Sequence, residues 1–150
     1  MSTAERCVMH EEYEVKNVFF YGLFMNDSLL REKGFHPSDP ILSYVDDYAL
    51  KIGERATLIK FVGERAYGRI MALTEEELSR LYGESSVADY RSEKVLATTS
   101  KNVSLEVIVY NLPLEKLAGQ NKPYAKSLAK IAEDFRLPGE YIQKIKAFAK

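Results

Sequence analysis

Two short segments carry residues whose types and spacing could support chemistry. In the first, the aromatic residues Phe19, Phe20 and Tyr21 lead directly into Gly22 and Leu23. A glycine lets the chain turn sharply at the end of a strand, and such a turn leaves backbone amides free to bind a carboxylate or an oxyanion. A strand end that needs only a turn has the same pattern, so both interpretations stay open.

The second segment holds a single carboxylate. Glu84 follows Gly83 just after a predicted helix, and it precedes Tyr90 and Arg91. A carboxylate positioned in this way can act as a general acid and base. Because Glu84 is one of 22 acidic residues, and most of these are solvated, its type and position also fit an ordinary surface residue.

The other reactive side chains indicate no familiar catalytic or metal site. The sequence has no nucleotide-binding glycine motif, no HExxH and no GxSxG. His10 and His36 are expected at the surface, and Cys7 is expected to be an incidental thiol. One cysteine and two histidines cannot form a Cys/His zinc site or an internal disulfide. We therefore expect neither a metal nor a cofactor.

Length and charge indicate one intracellular domain. The chain has 150 residues, of which 46% are apolar, and a net charge of −1. Residues 114–150 carry a local charge of +4, from eight basic and four acidic residues, which is too little to favour a nucleic-acid partner. No apolar run approaches the roughly 20 residues of a membrane-spanning helix. We expect a cytoplasmic protein without a membrane or nucleic-acid partner.

Strand patterns dominate the first two thirds of the chain. Aromatic and β-branched residues predict strands at residues 17–21, 41–45, 48–52, 57–62, 67–73, 90–98 and 104–112. The tripeptide Gly63-Glu64-Arg65 predicts a hairpin turn between the fourth and fifth of these. Residues 1–16 are expected to be a loosely ordered arm that precedes a single domain at residues 17–150.

Helix signals appear between and after the strands. Asp27 or Ser28 can begin a short helix that ends near Lys33. Thr74 and Glu77 form a capping box, which predicts a helix to about Leu81. Two further helices are predicted from apolar residues at helical spacing, namely Tyr124, Leu128, Ile131 and Phe135, and then Tyr141, Ile145 and Phe148. Strands first and helices late is an α+β order, and this number of short strands can close into a small barrel.

Four segments, taken in order, carry a resemblance to a known family. Residues 18–22 form an opening strand with a Tyr-Gly turn, and residues 66–70 form a strand with a Gly-x-Ile pattern, followed by the helix to Leu81. The third segment is Glu84 with the downstream Tyr90-Arg91.

The fourth segment is Pro123-Tyr124 followed by the Leu-Pro-Gly-Glu-Tyr sequence at residues 137–141. In this order and spacing, most of residues 17–148 resembles the γ-glutamylcyclotransferase-like superfamily. The C-terminal part is similar to the γ-glutamylcyclotransferases proper. The resemblance implies an α+β fold in which a small mixed, mostly antiparallel β-barrel is flanked by helices.

The resemblance also implies a reaction that needs no metal or cofactor. The α-amine of a small γ-glutamyl substrate attacks its own γ-carbonyl, 5-oxoproline forms, and a free amine or amino acid leaves. The C-terminal resemblance favours γ-glutamyl amino acids. Glu84 is the implied general base and acid, Tyr124 closes the pocket, and Tyr90 adds a hydrogen bond. The γ-glutamyl head is bound by the amides of Gly22 and Leu23 with the strand residues Val18, Phe19, Phe20 and Tyr21.

The sequence departs from the family pattern in two places. The family's turn reads Tyr-Gly-Ser-Asn or Tyr-Gly-Thr-Leu, whereas Leu23 and Phe24 follow the glycine here, so a polar side chain is missing. The spacing around Glu84 also differs by about one residue. The apolar turn motivates an alternative function, a module that binds a small molecule or a protein and has lost turnover. Tyr124 equally fits a core helix position, and the sequence leaves open whether the protein is a monomer or a homodimer.

Overall fold

The strands form a closed barrel in the computed structural model, which describes residues 15–84 and 87–150. Over these residues there are five strands, β1 Val15–Phe20, β2 Ser38–Ile52, β3 Ala56–Thr74, β4 Arg91–Thr99 and β5 Ser104–Asn111. Their order around the barrel is β1-β3-β2-β4-β5. All neighbours are antiparallel except β1 and β5, which pair in parallel where Val18 lies opposite Ile108. The predicted mixed, mostly antiparallel barrel is confirmed.

Helices flank the barrel in the four regions that the capping signals and the apolar spacing predict. They are α1 Asp27–Glu32, α2 Glu75–Leu81, α3 Lys122–Asp134 and α4 Gly139–Ala147. The capping box before α2 is present, because the Thr74 hydroxyl accepts from the Glu77 amide at 3.1 Å while the Glu77 carboxylate accepts from the Thr74 amide at 3.0 Å. The cap of α1 is Asn26 rather than Asp27 or Ser28, since the Asn26 side chain accepts from the Ser28 amide.

One long hairpin replaces the four short strands that were predicted between residues 41 and 73. The turn lies at residues 53–55, where the Gly53 amide donates to the Arg55 carbonyl at 2.9 Å, and β3 continues without a turn through Gly63. Gly63 instead forms a bulge: its φ is +91° and its amide donates to the Asp47 carboxylate at 3.0 Å. The predicted hairpin at Gly63-Glu64-Arg65 is therefore wrong.

The side chains of β1 alternate between two apolar clusters. Phe19 points into the barrel interior, which α3 and α4 cover with residues such as Leu128 and Ile145. Val18 and Phe20 point to the opposite face, where a second cluster packs beneath α1 and α2. This alternation makes β1 the shared wall between the two clusters.

The start of β1 corrects the predicted domain boundary. Val15 and Lys16, which were expected in the arm, belong to β1 and pair with Thr74 and Leu73. The rest of the predicted arm, with Cys7 and His10, lies outside the described residues. Among the residues that the structure describes, no helix is long and apolar enough to span a membrane.

Candidate functional site

A cavity of about 360 Å³ opens at the end of β1. It lies between the turn after β1, the helix α1, the hairpin turn at residues 53–55 and the first residues of α3. Its wall is dominated by aromatic side chains, those of Phe19, Phe20, Tyr21, Phe24, Tyr82, Tyr90, Tyr110 and Tyr124. Both the volume and the mainly apolar wall are typical of a small-molecule site.

Arg69, on β3, holds the turn after β1 in place through hydrogen bonds. Gly22 is followed by a single 3-10 turn, Leu23–Met25, in which the Met25 amide donates to the Gly22 carbonyl at 3.0 Å. The Arg69 guanidinium donates to the Met25 carbonyl at 2.9 Å and to the Asp27 carboxylate at 3.2 Å. The guanidinium of Arg31, and after it that of Arg69, holds the pKa of Asp27 below its ordinary value.

Tyr124 reaches this turn from the first residues of α3. Its hydroxyl accepts a long hydrogen bond, 3.4 Å, from the Leu23 amide. A Cβ atom at Gly22 would collide with the same hydroxyl, so the glycine is required here by close approach. The structure therefore brings together Gly22, Leu23 and Tyr124, which the sequence analysis assigned to one pocket.

The remaining predicted tyrosines also line the cavity, with their hydroxyls on backbone carbonyls. The Tyr21 hydroxyl donates to the Tyr110 carbonyl at 2.7 Å, and the Tyr90 hydroxyl donates to the Ala56 carbonyl. Burial raises the pKa of Tyr90 to about 12, and it raises the pKa of Tyr21 and of Tyr124 as well. These hydroxyls are therefore protonated near neutral pH, so they can donate hydrogen bonds but cannot serve as bases.

Glu84 is not part of the cavity wall and is connected to it through Lys33. It follows α2, where its amide donates to the Leu81 carbonyl at 3.3 Å. Its carboxylate is 3.0 Å from the ammonium group of Lys33, and Lys33 does line the cavity. The side chains of Lys33 and Glu84 are 41% and 36% exposed, so water reaches both.

Two predicted residues, Glu84 and Val18, do not line the cavity. Val18 is fully buried in the second apolar cluster, whereas Phe20, on the same face but at the end of β1, does line the cavity. Within residues 15–84 and 87–150, no group of three or more His, Cys, Asp and Glu side chains is arranged to hold a metal ion.

The fold of this chain is similar to those of several solved structures. An uncharacterized protein from Homo sapiens aligns over 89% of this chain and 88% of its own, with 20% identity and a TM-score of 0.71. A γ-glutamyl cyclotransferase aligns over 89% and 88%, with 18% identity and a TM-score of 0.69. A γ-glutamyl cyclotransferase specific to glutathione, from yeast, aligns over 91% and 96%, with 12% identity and a TM-score of 0.68.

The chain has the γ-glutamyl cyclotransferase-like fold. The resemblance found in the sequence is thus confirmed at the level of the fold. No protein-family model matches the sequence. No curated protein matches it either.

Several residues of the cavity wall in this γ-glutamyl cyclotransferase-like fold were not found by sequence reasoning, among them Tyr82, Arg55 and Lys33. Tyr82 stacks on Tyr110 at 3.7 Å between ring centroids, with 12° between the planes. Arg55 enters from the hairpin turn and pairs with Asp89 at 3.2 Å. Lys33 has no local signal beyond its position at the end of α1. Tyr82 could have been noticed, since it is a large aromatic residue immediately after a capped helix.

Proposed function

We propose that the protein cleaves a γ-glutamyl amide by cyclisation. The substrate's α-amine nitrogen forms a bond to the γ-carbon, the bond between that carbon and the amide nitrogen breaks, and 5-oxoproline and a free amine are released. The α-nitrogen loses two protons as it changes from an ammonium group to the lactam N–H, and both end on the departing nitrogen, which is released as an ammonium group. Because the nucleophile is tethered to its target, orientation within the substrate can supply about 7–11 kcal/mol of the barrier.

The observation that carries this proposal is the pair formed by Lys33 and Glu84. The primary ammonium group of Lys33, a residue of the cavity wall, lies 3.0 Å from one carboxylate oxygen of Glu84 and 3.4 Å from the other. The α-ammonium of a γ-glutamyl substrate has the same charge and the same three donors. We infer that the substrate's ammonium displaces Lys33, which lets Glu84 accept a proton and later deliver it to the leaving nitrogen.

The turn after β1 supports the remaining steps. The long bond between the Leu23 amide and the Tyr124 hydroxyl is easily exchanged for a bond from that amide to a substrate oxygen. The Tyr124 hydroxyl then becomes a second donor. Donors that meet developing negative charge on the γ-carbonyl oxygen are the usual means of stabilising a tetrahedral intermediate.

The experiment that tests the proposal is a product assay with one substitution and one matched control. The protein is incubated with γ-glutamyl-alanine, other γ-glutamyl amino acids, a γ-glutamyl amine and glutathione, and 5-oxoproline is measured by mass spectrometry. Glu84→Gln is expected to lower the rate by about 10²–10⁴-fold. Glu76→Gln, which changes an exposed acid on α2, is expected to keep the wild-type rate. Equal rates for Glu84→Gln and wild type would contradict the role of Glu84.

A second candidate function rests on the apolar side of the cavity. Leu23 and Phe24 contribute to its wall, where the family pattern has a polar side chain. A protein that retains the cavity but has lost turnover would bind 5-oxoproline or an apolar ligand and release no product. Binding measured by calorimetry, without 5-oxoproline from any substrate of the panel, would favour this binding module.

A further inference from the structure

We infer that the leaving part of the substrate is an uncharged apolar amine of about the size of an aromatic ring. This inference rests on the proposed function, and it names the class of γ-glutamyl amide that the cavity accepts. It differs from the expectation drawn from the C-terminal resemblance, which favoured amino acids as leaving groups.

The first argument is the apolar wall beside the turn. The half-buried side chains of Leu23, Phe24 and Leu29 line the cavity, and they offer carbon surface where a polar contact was expected. Phe20 meets Phe24 edge to face, with 6.4 Å between ring centroids. A ligand group that covers this wall removes apolar surface from water, which favours an apolar group over a polar one.

The second argument is that the aromatic part of the wall is closely packed. Tyr82 lies flat against Tyr110, and both rings pack on the second apolar cluster together with Phe24. Close-packed aromatic side chains keep their shape, so the wall selects by fit as well as by polarity. An aromatic group in the ligand can extend the stack or meet it edge to face.

The third argument concerns charge. Both basic residues in the cavity wall already have acidic partners, Lys33 with Glu84 and Arg55 with Asp89. When the substrate's ammonium takes the place of Lys33 at Glu84, the α-carboxylate on the same carbon is the nearest anion to Lys33. A second carboxylate, on the leaving part, would then find the acidic residues Glu32 and Glu54 in the same wall. Glu32 and Glu54 are exposed, so their like charge disfavours that carboxylate modestly and most strongly at low ionic strength.

The test uses three substrates that differ by one group at a time. γ-Glutamyl-phenethylamide and γ-glutamyl-phenylalanine differ only in a carboxylate, whereas γ-glutamyl-phenethylamide and γ-glutamyl-ethylamide differ only in a phenyl ring. We expect kcat/KM for the phenethylamide to exceed that for each of the other two by about 10-fold or more, since small apolar differences in a fitted pocket are worth that much. An equal or higher value for γ-glutamyl-phenylalanine, or for the ethylamide, would overturn the inference.

A matched pair of variants locates the effect. Phe24→Ala is expected to reduce the ratio of kcat/KM between the phenethylamide and the ethylamide by about 10-fold. Phe61→Ala, which removes a 52% exposed ring on β3 outside the cavity, is expected to keep the wild-type ratio. A ratio that responds equally to both variants would contradict binding at Phe24.

The failure of this inference and that of the proposed function give different results. Release of 5-oxoproline with the wrong ranking overturns only the inference. Absence of 5-oxoproline from all three substrates overturns the proposed function. In that case the three dissociation constants are measured by calorimetry. Tightest binding of the phenethylamide supports the apolar, uncharged subsite, and any other ranking overturns it.

Discussion

The Tyr124 hydroxyl lies so close to Gly22 that a side chain at position 22 would force the tyrosine or the turn to move. The contact joins the first turn of α3 to the end of β1, two segments that are remote in the sequence. It also fixes the amide of Leu23, the backbone donor that the proposed reaction uses.

We expect Gly22→Ala to destabilise the protein by about 1–3 kcal/mol, the usual cost of overpacking. The backbone is not the cause, because the φ of Gly22 is −104°, which alanine adopts freely. The Tyr124→Phe background removes the colliding oxygen and leaves the ring carbon at an ordinary contact distance of 3.7 Å from the new Cβ. Chemical denaturation of the four variants should therefore show a smaller cost in that background. The same cost in both backgrounds would contradict the contact.

Asp27 is expected to make stability depend on acid pH. Its pKa is held below the ordinary value, chiefly by the Arg31 guanidinium, so the folded state binds the proton less tightly than the unfolded chain does. The stabilisation from the ionised Asp27 carboxylate is present above about pH 4, the pKa of Asp in the unfolded chain. It is lost as the pH falls through the lower pKa that Asp27 has in the folded protein. Asp27→Asn should lower the free energy of unfolding by about 1 kcal/mol at pH 7. The two proteins should become equally stable in acid, and a constant difference down to pH 2–3 would contradict this prediction.

The cavity tyrosines are expected to ionise late in an alkaline titration. Burial raises the pKa of Tyr90 to about 12 and raises those of Tyr82 and Tyr124 further. Because the unfolded chain releases these protons near pH 10, stability is complete below that pH and falls as the pH rises towards the folded values. Absorbance titration should show this ionisation together with unfolding. Tyr124→Phe should remove one late-ionising group, and an unchanged late phase would be evidence against the burial of Tyr124.

The Thr57 hydroxyl on β3 connects this strand to the residue that follows β5. Its removal should reveal the energetic cost of leaving the buried Leu112 amide without a hydrogen-bond partner. The buried hydroxyl accepts from the Leu112 amide at 2.9 Å and donates to the Leu112 carbonyl at 3.2 Å. Thr57→Val keeps the shape and removes both bonds, so we expect a loss of about 1–3 kcal/mol in chemical denaturation. Thr57→Ser keeps the hydroxyl and serves as the control. A greater loss from serine than from valine would mean that packing, not hydrogen bonding, dominates at this position.

Local sequence signals predicted much of the secondary structure correctly. They failed where the conformation depends on pairing with a strand that is distant in the sequence. The capping box at Thr74 is read from four consecutive residues, and it is present. The tetrapeptide Gly-Glu-Arg-Ala occurs twice, at residues 53–56 and 63–66, and the same letters form a hairpin turn in one place and a bulge in the other. The partner strand makes the difference, since Asp47 accepts from the amide of Gly63. No local pattern contains that information.

In the candidate site too, local patterns were informative and contacts between distant residues were not predictable from them. Gly22, Leu23 and Tyr124 could be assigned to one pocket because a family resemblance supplied their long-range relationship, and the structure brings them together. Val18 was assigned with its strand, but it lies inside β1 and is buried in the second apolar cluster, whereas Phe20, on the same face at the end of the strand, lines the cavity. Lys33 was missed because its relation to Glu84 spans two separate elements, and a lone lysine at a helix end carries no signal of that contact.

The parallel pairing of β1 with β5 has a consequence for the order of folding. The paired residues, Val18 and Ile108, belong to the first and last strands of the barrel. Among the strand pairings of the described residues, this seam therefore has the greatest loop-closure cost. Hairpins such as β2 with β3 can form early and locally, whereas the seam closes late. Tyr21 bonds to Tyr110 beside the seam, so the cavity exists only once the barrel has closed. A ligand bound in this cavity stabilises the closed barrel over the opened one. We therefore expect the protein to unfold more slowly when the ligand is bound.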